Sequence, residues 1–285
     1  MKDLIVNNKY NNKNLNKFIL DTFPNLKTNT LFKALRKKDI LVNGKRVNSN
    51  VQIYTNDLIR IYISDELLEG TNCNINFVYE DDNILIINKP ANIEVVGNNS
   101  ITSILEKKYN FIKPCHRIDR NTLGIVLFAK NQVSLNILLD KFKNKEIEKH
   151  YIAQVYGIPR NTSERLTAYL FKDTKKSLVY ISDTFKTGYL KIITSYKLIS
   201  SNKENNTSIL DINLETGRTH QIRAHLAHIG LPILGDGKYG INKINKQFNK
   251  KTQDLCAYKL KFNFISDSGI LNYLNGNEYI IEYKF

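Results

Sequence analysis

The sequence predicts a two-part chain of the α+β class, a small basic N-terminal module followed by a larger mixed α/β body in which strands outnumber helices. Three observations predict it. The first 65 of 285 residues carry 12 Lys and Arg against 5 Asp, while the whole chain carries 42 basic and 27 acidic residues for a net +15. Nearly half of the excess charge therefore sits in less than a quarter of the length, which marks a separate module. Residues 64–76 are polar and aperiodic, as a linker is, and place the boundary between segments 1–70 and 71–285. Beyond them short β-branched and aromatic runs recur between turn residues, with only two stretches at helical spacing.

Within the front module, Leu15, Phe18, Ile19 and Phe23 predict a helix that breaks at Pro24, and Leu31, Phe32 and Leu35 predict a second short one. Ile40-Leu41-Val42 and Lys45-Arg46-Val47 flank Asn43-Gly44, a pair that tolerates the positive φ angles of a tight hairpin turn. A further strand runs from Leu58 to Ile63. In the body, Phe77-Val78-Tyr79 and Ile84 to Ile87 form a hairpin whose second strand is buried and stopped by Pro90, and Ile125 to Ala129 is a strand. Leu135, Leu138, Leu139 and Phe142 lie at i, i+3, i+4 and i+7 of a helix packed on that sheet. Strands follow at Tyr151 to Tyr156, Ser177 to Ile181, Leu190 to Ile193 and Ile209 to Leu214. The second helix has Ile222, Leu226 and Ile229 as its apolar positions and Gly230 at its end.

Composition narrows the function. The chain is 42% hydrophobic, with no apolar stretch near the roughly 18 residues of a membrane span and no apolar core for a signal peptide. Cys73, Cys115 and Cys256 are widely spaced and read as reduced thiols of a cytoplasmic protein. A charge of +15 favours a polyanionic partner, nucleic acid first, although an Asn-, Lys- and Ile-rich composition also raises charge without any binding role.

Three segments are dense in polar residues between apolar runs, where a scaffold displays a site. In His116-Arg117-Ile118-Asp119-Arg120-Asn121-Thr122-Leu123-Gly124 a carboxylate lies between two arginines, which favour its ionised form as nucleophile or base. A surface ion pair is the plain structural alternative. Lys149-His150-Tyr151 opens a strand whose Tyr151 could stack on a base or move a proton, though most of the 16 tyrosines must serve packing. Glu215-Thr216-Gly217-Arg218-Thr219-His220-Gln221-Ile222-Arg223 enters a helix, and Arg218, His220 and Arg223 near its N-terminus suit an anionic RNA backbone.

The strings HRIDRNTLG and GRTHQIRAH, with the Lys-Tyr strand between them and Asn88-Lys89-Pro90 upstream, resemble the RluA-type family of RNA pseudouridine synthases over about residues 75–285. Leu31 to Arg36, Leu41 to Lys45 and Asp57-Leu58-Ile59 resemble the S-four-like RNA-binding domain that many members carry in front. The resemblance implies a catalytic domain on a largely antiparallel mixed sheet with flanking helices, and isomerisation of uridine to pseudouridine in structured RNA, ribosomal RNA foremost. It implies that Asp119 attacks or deprotonates the ribose, that Tyr151 packs on the base, that Arg218 pairs with and orients Asp119, and that Arg117 enters the space left by the flipped uridine. His116, His220 and Arg223 join Arg117 as RNA contacts, and Lys33, Arg36, Lys37, Lys45 and Arg46 carry the front module onto RNA. The reaction has no redox change, hydrolysis or group donor, so no metal or organic cofactor is implied, and the chain is expected to act as a monomer away from membranes. The chain departs from the family pattern at Asn56 and Asn92, where glycine is usual, and at Leu123 and Cys256, where serine and histidine are usual.

Three other signals are set aside. Gly235-Asp236-Gly237-Lys238-Tyr239-Gly240 has the spacing of a dinucleotide loop but is followed by a polar Asn/Lys segment and no acidic residue at the required distance. His225 and His228 share a helix face without a third ligand, and Cys115 beside His116 points away from it along an extended segment. The rival functions are a non-catalytic RNA-binding or ribosome-assembly factor, disfavoured by the intact Asp119, Tyr151, Arg218 set, and an RNA methyltransferase, disfavoured by the missing cofactor loop.

Overall fold

In the computed structural model, which describes residues 1–68, 75–283 and 285, the chain divides into two units, Met1–Asn74 and Ile75–Phe285. The boundary expected after residue 70, the middle of the expected linker and Cys73 lie outside the described residues.

The first unit runs β1 (Lys2–Ile5), β2 (Lys13–Asn14), α1 (Leu15–Thr22), α2 (Thr28–Arg36), β3 (Ile40–Val42), β4 (Lys45–Val47), β5 (Gln52–Ile53), β6 (Leu58–Ile61) and α3 (Asp65–Leu68). Its main sheet has the order β1-β6-β3-β4, antiparallel throughout. Leu15, Phe18 and Ile19 of α1 and Leu31 and Leu35 of α2 pack on Ile40, Ile59 and Ile61. Phe32, expected in that core, is exposed, because Leu31 and Leu35 already fill the buried stripe of a short helix. The front of the expected linker is a helical turn instead, with Leu68 fully buried in the same core. Asn43 and Gly44 have φ of 49° and 77°, the double positive turn that their sequence calls for. Asn56, standing where glycine is usual, has φ of 72°, a conformation that asparagine tolerates and so keeps the turn.

The second unit continues with β7 (Asn76–Glu80), β8 (Ile84–Lys89), α4 (Ile101–Leu105), β9 (Lys113–Pro114), β10 (Leu123–Ala129), α5 (Gln132–Lys143), β11 (Ile147–Tyr156), β12 (Ser163–Asp173), β13 (Leu178–Ser182), β14 (Leu190–Asn202), β15 (Thr207–Leu214), α6 (Gln221–His228), α7 (Asn242–Gln247), β16 (Leu255–Phe262) and β17 (Glu278–Ile280). One sheet takes the order β13-β12-β14-β15-β11-β16-β10-β8-β7, with β17 on β16 and β9 on β10. Among the described residues its one parallel pair is β10 with β16, so the sheet is mixed and largely antiparallel, with α5 and α6 packed on it. Leu138 of α5 is fully buried, whereas Leu139, expected inside, is about half exposed. β12, β16 and the second half of β14 escape a reading by apolar runs, since Ser, Thr, Lys and Asn occupy their outward positions.

Two local features aim the sheet at one place. The parallel junction sets Leu123 opposite Cys256 and Gly124 opposite Ala257. Gly124 has φ of 116° and a Cβ there would stand 2.2 Å from the Ala257 carbonyl oxygen, so only glycine lets the two strands meet. The pairing of β11 with β16 slips between His150 and Tyr151, midway along the strand, so the register is offset at the tyrosine.

Candidate active site

Asp119 stands on the loop that leads into β10, and its backbone carbonyl closes a turn by accepting from Thr122 N at 3.1 Å. The loop is fastened at both flanks. Thr122, 2% exposed, accepts from Gln253 Nε2 at 2.7 Å. Lys89, wholly buried at the end of β8, donates to the carbonyls of Pro90 (2.7 Å), Ile93 (2.9 Å) and Arg120 (3.1 Å). Arg120 Nε in turn donates to Asn92 O at 3.0 Å. Asn92 has φ of 68°, so the departure from glycine at this position leaves the loop's backbone shape intact.

The guanidinium that holds Asp119 belongs to Arg223, which corrects the expected pairing with Arg218. Arg223 projects from the first turn of α6 and donates through Nη1 to Asp119 Oδ2 (2.9 Å), through Nε to Asp236 Oδ2 (2.7 Å) and through Nη2 to Asp236 Oδ1 (2.9 Å). Asp236 is held by the backbone N–H groups of Lys238 and Tyr239. Burial would raise the Asp236 pKa, but the Arg223 contact outweighs it and holds the carboxyl below its usual value. Arg223 is likewise held cationic by Asp236 and Asp119 against its own burial. Side-chain exposure falls from 26% at Asp119 through 8% at Arg223 to none at Asp236, so only the Asp119 end of the network is open.

Arg223, expected on RNA, gives three of its N–H groups to two carboxylates. Arg218 is exposed, and among the described residues its guanidinium makes no ion pair; its backbone N–H donates to Gln221 Oε1 at 3.1 Å. Gln221 satisfies all of its amide, accepting also from Thr216 Oγ1 (2.8 Å) and donating to Ile193 O and Thr194 Oγ1 (both 3.0 Å), which ties the Thr216–His220 loop to β14.

The glycine-rich segment is structural. A Cβ on Gly235 would meet Thr252 O at 1.9 Å and one on Gly240 would meet Asp236 O at 2.4 Å, so the glycines make the tight loop that turns Asp236 inward. Tyr239 follows from the same loop. Its ring lies 5.3 Å from the Arg223 guanidinium, and its hydroxyl accepts from Val179 N and pairs with His220 Nδ1 at 2.8 Å.

Tyr151 is 5% exposed, and burial followed by the Asp119 charge pushes its hydroxyl above the usual phenol range. His116, expected on RNA, is turned largely inward at the wall of the cavity. Its Nε2 accepts from Leu127 N at 3.1 Å, its ring lies 5.1 Å from Phe142, and burial followed by the Lys149 charge lowers its pKa to about 3. It stays neutral at any physiological pH. His220 caps α6 with φ of 53°, and burial lowers its pKa too. Arg117 and Arg120 are exposed.

Asp119, Tyr151, Arg117, Arg218, His116, His220 and Arg223 all line one open cavity of about 910 Å³ in the second unit. Lys238 and Lys251 join them at its exposed rim. Sequence reasoning missed Asp236, Tyr239, Gln221 and Lys149. An acidic residue just after the apolar run Leu231-Pro232-Ile233-Leu234 was the available signal, since a buried carboxylate demands a cation. The set-aside thiols and imidazoles have other duties. Cys115 is buried and its pKa raised, His225 pairs with Thr194 Oγ1, and His228 pairs with Asp183. In the first unit, Lys33, Arg36, Lys37, Lys45 and Arg46 are all exposed, and Arg46 Nη1 donates to Lys38 O.

Residues 83–228 match the RNA pseudouridylate synthase family. An uncharacterized RNA pseudouridine synthase of Mycoplasma capricolum is 33% identical over 99% of this chain and 97% of its own. A ribosomal large subunit pseudouridine synthase C of Rickettsia bellii is 34% identical over 81% of this chain and 83% of its own. The fold resembles human RNA pseudouridylate synthase domain containing 1, with a TM-score of 0.61 at 19% identity over 74% of this chain and 84% of that one.

Proposed function

This chain belongs to the RNA pseudouridine synthase family, isomerases that convert uridine to pseudouridine in RNA, and from that premise we propose that it modifies large-subunit ribosomal RNA with Asp119 as the group acting on the ribose. The observation that carries the reading is the network itself: one half-open carboxylate held in a fixed orientation by a buried fork that is anchored behind it. Isomerisation detaches uracil from C1′, turns it, and rejoins it through C5, so the base must leave its stack and stay confined between the two steps. A carboxylate that needs no reorganisation serves such a step, as nucleophile or as base.

Tyr151, midway along β11 and on the wall of the cavity that Asp119 also lines, packs on the flipped base, and Arg117 fills the space that the base leaves. Arg117, Arg120, Arg218 and Lys238, exposed around the rim, neutralise the phosphates that flank it. The large-subunit assignment is supported by the name of the Rickettsia bellii relative. Exposed Lys33, Arg36 and Lys37 at the end of α2, beside Lys45 and Arg46 of the hairpin, support an S-four-like RNA-binding role for the first unit. Isomerisation in itself demands neither metal nor redox cofactor. No helix among the described residues is long and apolar enough to cross a membrane.

Mapping pseudouridine in total RNA from cells with and without the gene tests the reading. Loss of one or more large-subunit positions is expected, and an unchanged large-subunit map with losses in transfer RNA would overturn the substrate assignment.

A further inference from the structure

Lys149 is the one cavity-lining lysine that sits largely out of water, and among the described residues no carboxylate or carbonyl lies within hydrogen-bonding distance of its ammonium. Its Nζ rests 5.3 Å from the Phe142 ring centre and would stand 3.5 Å from a Cβ on Gly217, the residue before Arg218. Burial lowers its pKa from the ordinary lysine value. A second donor without an acceptor lies against the same ring. His116 accepts at Nε2, so in its neutral form Nδ1 carries the proton, and that Nδ1 is buried with no partner among the described residues. A part-buried cation on the cavity wall, with only an aromatic face beside it, is placed to take a ligand oxygen.

Position decides which oxygen. The exposed cations Arg117, Arg120, Arg218 and Lys238 occupy the rim, where phosphates pass, while Lys149 lies inside on the strand that carries Tyr151 two residues on. We infer that Lys149 is a substrate-contacting catalytic residue, whose ammonium donates to a uracil carbonyl oxygen and holds the charge of the base once it is detached from the ribose. This rests on the proposed chemistry at Asp119. When C1′–N1 breaks, its electron pair stays on the base, and the charge spreads onto O2 and O4. With Asp119 as nucleophile, C1′ is held meanwhile on its carboxylate oxygen; the anion turns, C5 bonds to C1′ as that C1′–O bond breaks and the carboxylate is restored, the C5 proton passes to solvent, and N1 takes up a proton from solvent. An ammonium fixed in a water-poor pocket stabilises the base most when that charge is greatest.

The test is a cycle of wild type and Lys149→Met against RNA fragments carrying uridine, 2-thiouridine or 4-thiouridine at the target position, under single turnover. Sulfur accepts hydrogen bonds weakly. Lys149→Met is expected to slow isomerisation of uridine by about 10- to 150-fold, the range for a hydrogen bond to a charged group, with RNA Kd within threefold. One thio-substrate should then slow the wild type much more than the variant. Because the ammonium has no carboxylate or carbonyl partner among the described residues and methionine keeps the stem's packing on Phe142, the Tm of the variant should not fall below that of the wild type, which loss of a structural ion pair would not allow. Additive losses with both thio-substrates, a fall in affinity that accounts for the whole loss, or a lower Tm would each overturn the inference. If the wild type makes no pseudouridine on uridine RNA, the proposed function itself fails instead.

Discussion

Replacing Arg223 by lysine keeps the positive charge and removes the fork. That guanidinium donates three charge-assisted hydrogen bonds, two to Asp236 and one to Asp119, at 2.7 to 2.9 Å. A lysine ammonium is a point donor on a shorter reach and cannot meet both carboxylates in this geometry. Asp236 has no exposed side-chain surface and Arg223 has 8%, so water cannot replace the lost bonds as it would at the surface. At about 1.5–3 kcal/mol for each bond to a charged group, losing one or two places the cost near 3 kcal/mol of stability. Asp119 loses its orientation as well, and a displacement of an ångström costs on the order of 100-fold in rate. Urea denaturation reads the first, and tritium release from RNA labelled at C5 reads the second. A lysine variant within 1 kcal/mol and threefold of wild type would refute the reasoning. Arg218→Ala, by contrast, is expected to keep stability within about 0.5 kcal/mol and to weaken RNA binding.

Gly124→Ala should cost at least about 3 kcal/mol in urea denaturation, since it combines a 2.2 Å approach to Ala257 O with a φ of 116°. His150, bonded to Asp211 and Glu148, has its pKa raised by these carboxylates, Asp211 foremost, against burial. Its contribution to stability is full below the unfolded value of about 6.5 and disappears as pH rises through the folded one. The wild type should therefore exceed His150→Asn in urea midpoint by more at pH 6 than at pH 9, and an equal gap would contradict the pairing. Replacing Lys33, Arg36 and Lys37 together by alanine should flatten the slope of log affinity against log salt by about 2–3, at 0.7–0.9 per phosphate contact.

What the sequence conveyed and what it hid follow from the range of its signals. The hairpin at Asn43-Gly44, the helix stop at Pro24 and Gly230 beyond α6 are decided by backbone preferences of a few neighbouring residues, and a linear reading finds them. The loop around Asp119 was legible because its motif is long and its chemistry dense. The identity of its partner was not. Arg218 and Arg223 are five residues apart in one motif, and only the start of α6 at Gln221 and the position of Asp236 decide which guanidinium turns inward. Asp236 lies 117 residues beyond Asp119 in a loop that resembled a failed nucleotide site. Leu123 and Cys256, two separate departures on paper, prove to be opposite each other across the parallel junction of β10 and β16, a pairing that no local spacing encodes.

Asp119→Asn measures the account most directly, because the amide keeps the shape and one hydrogen-bonding oxygen while removing the charge. With RNA in excess of Kd and enzyme in excess of RNA, the prediction is tritium release indistinguishable from background at an affinity within a few-fold of wild type. Release at the wild-type rate would mean that the carboxylate held by Arg223 is not the group that breaks the glycosidic bond.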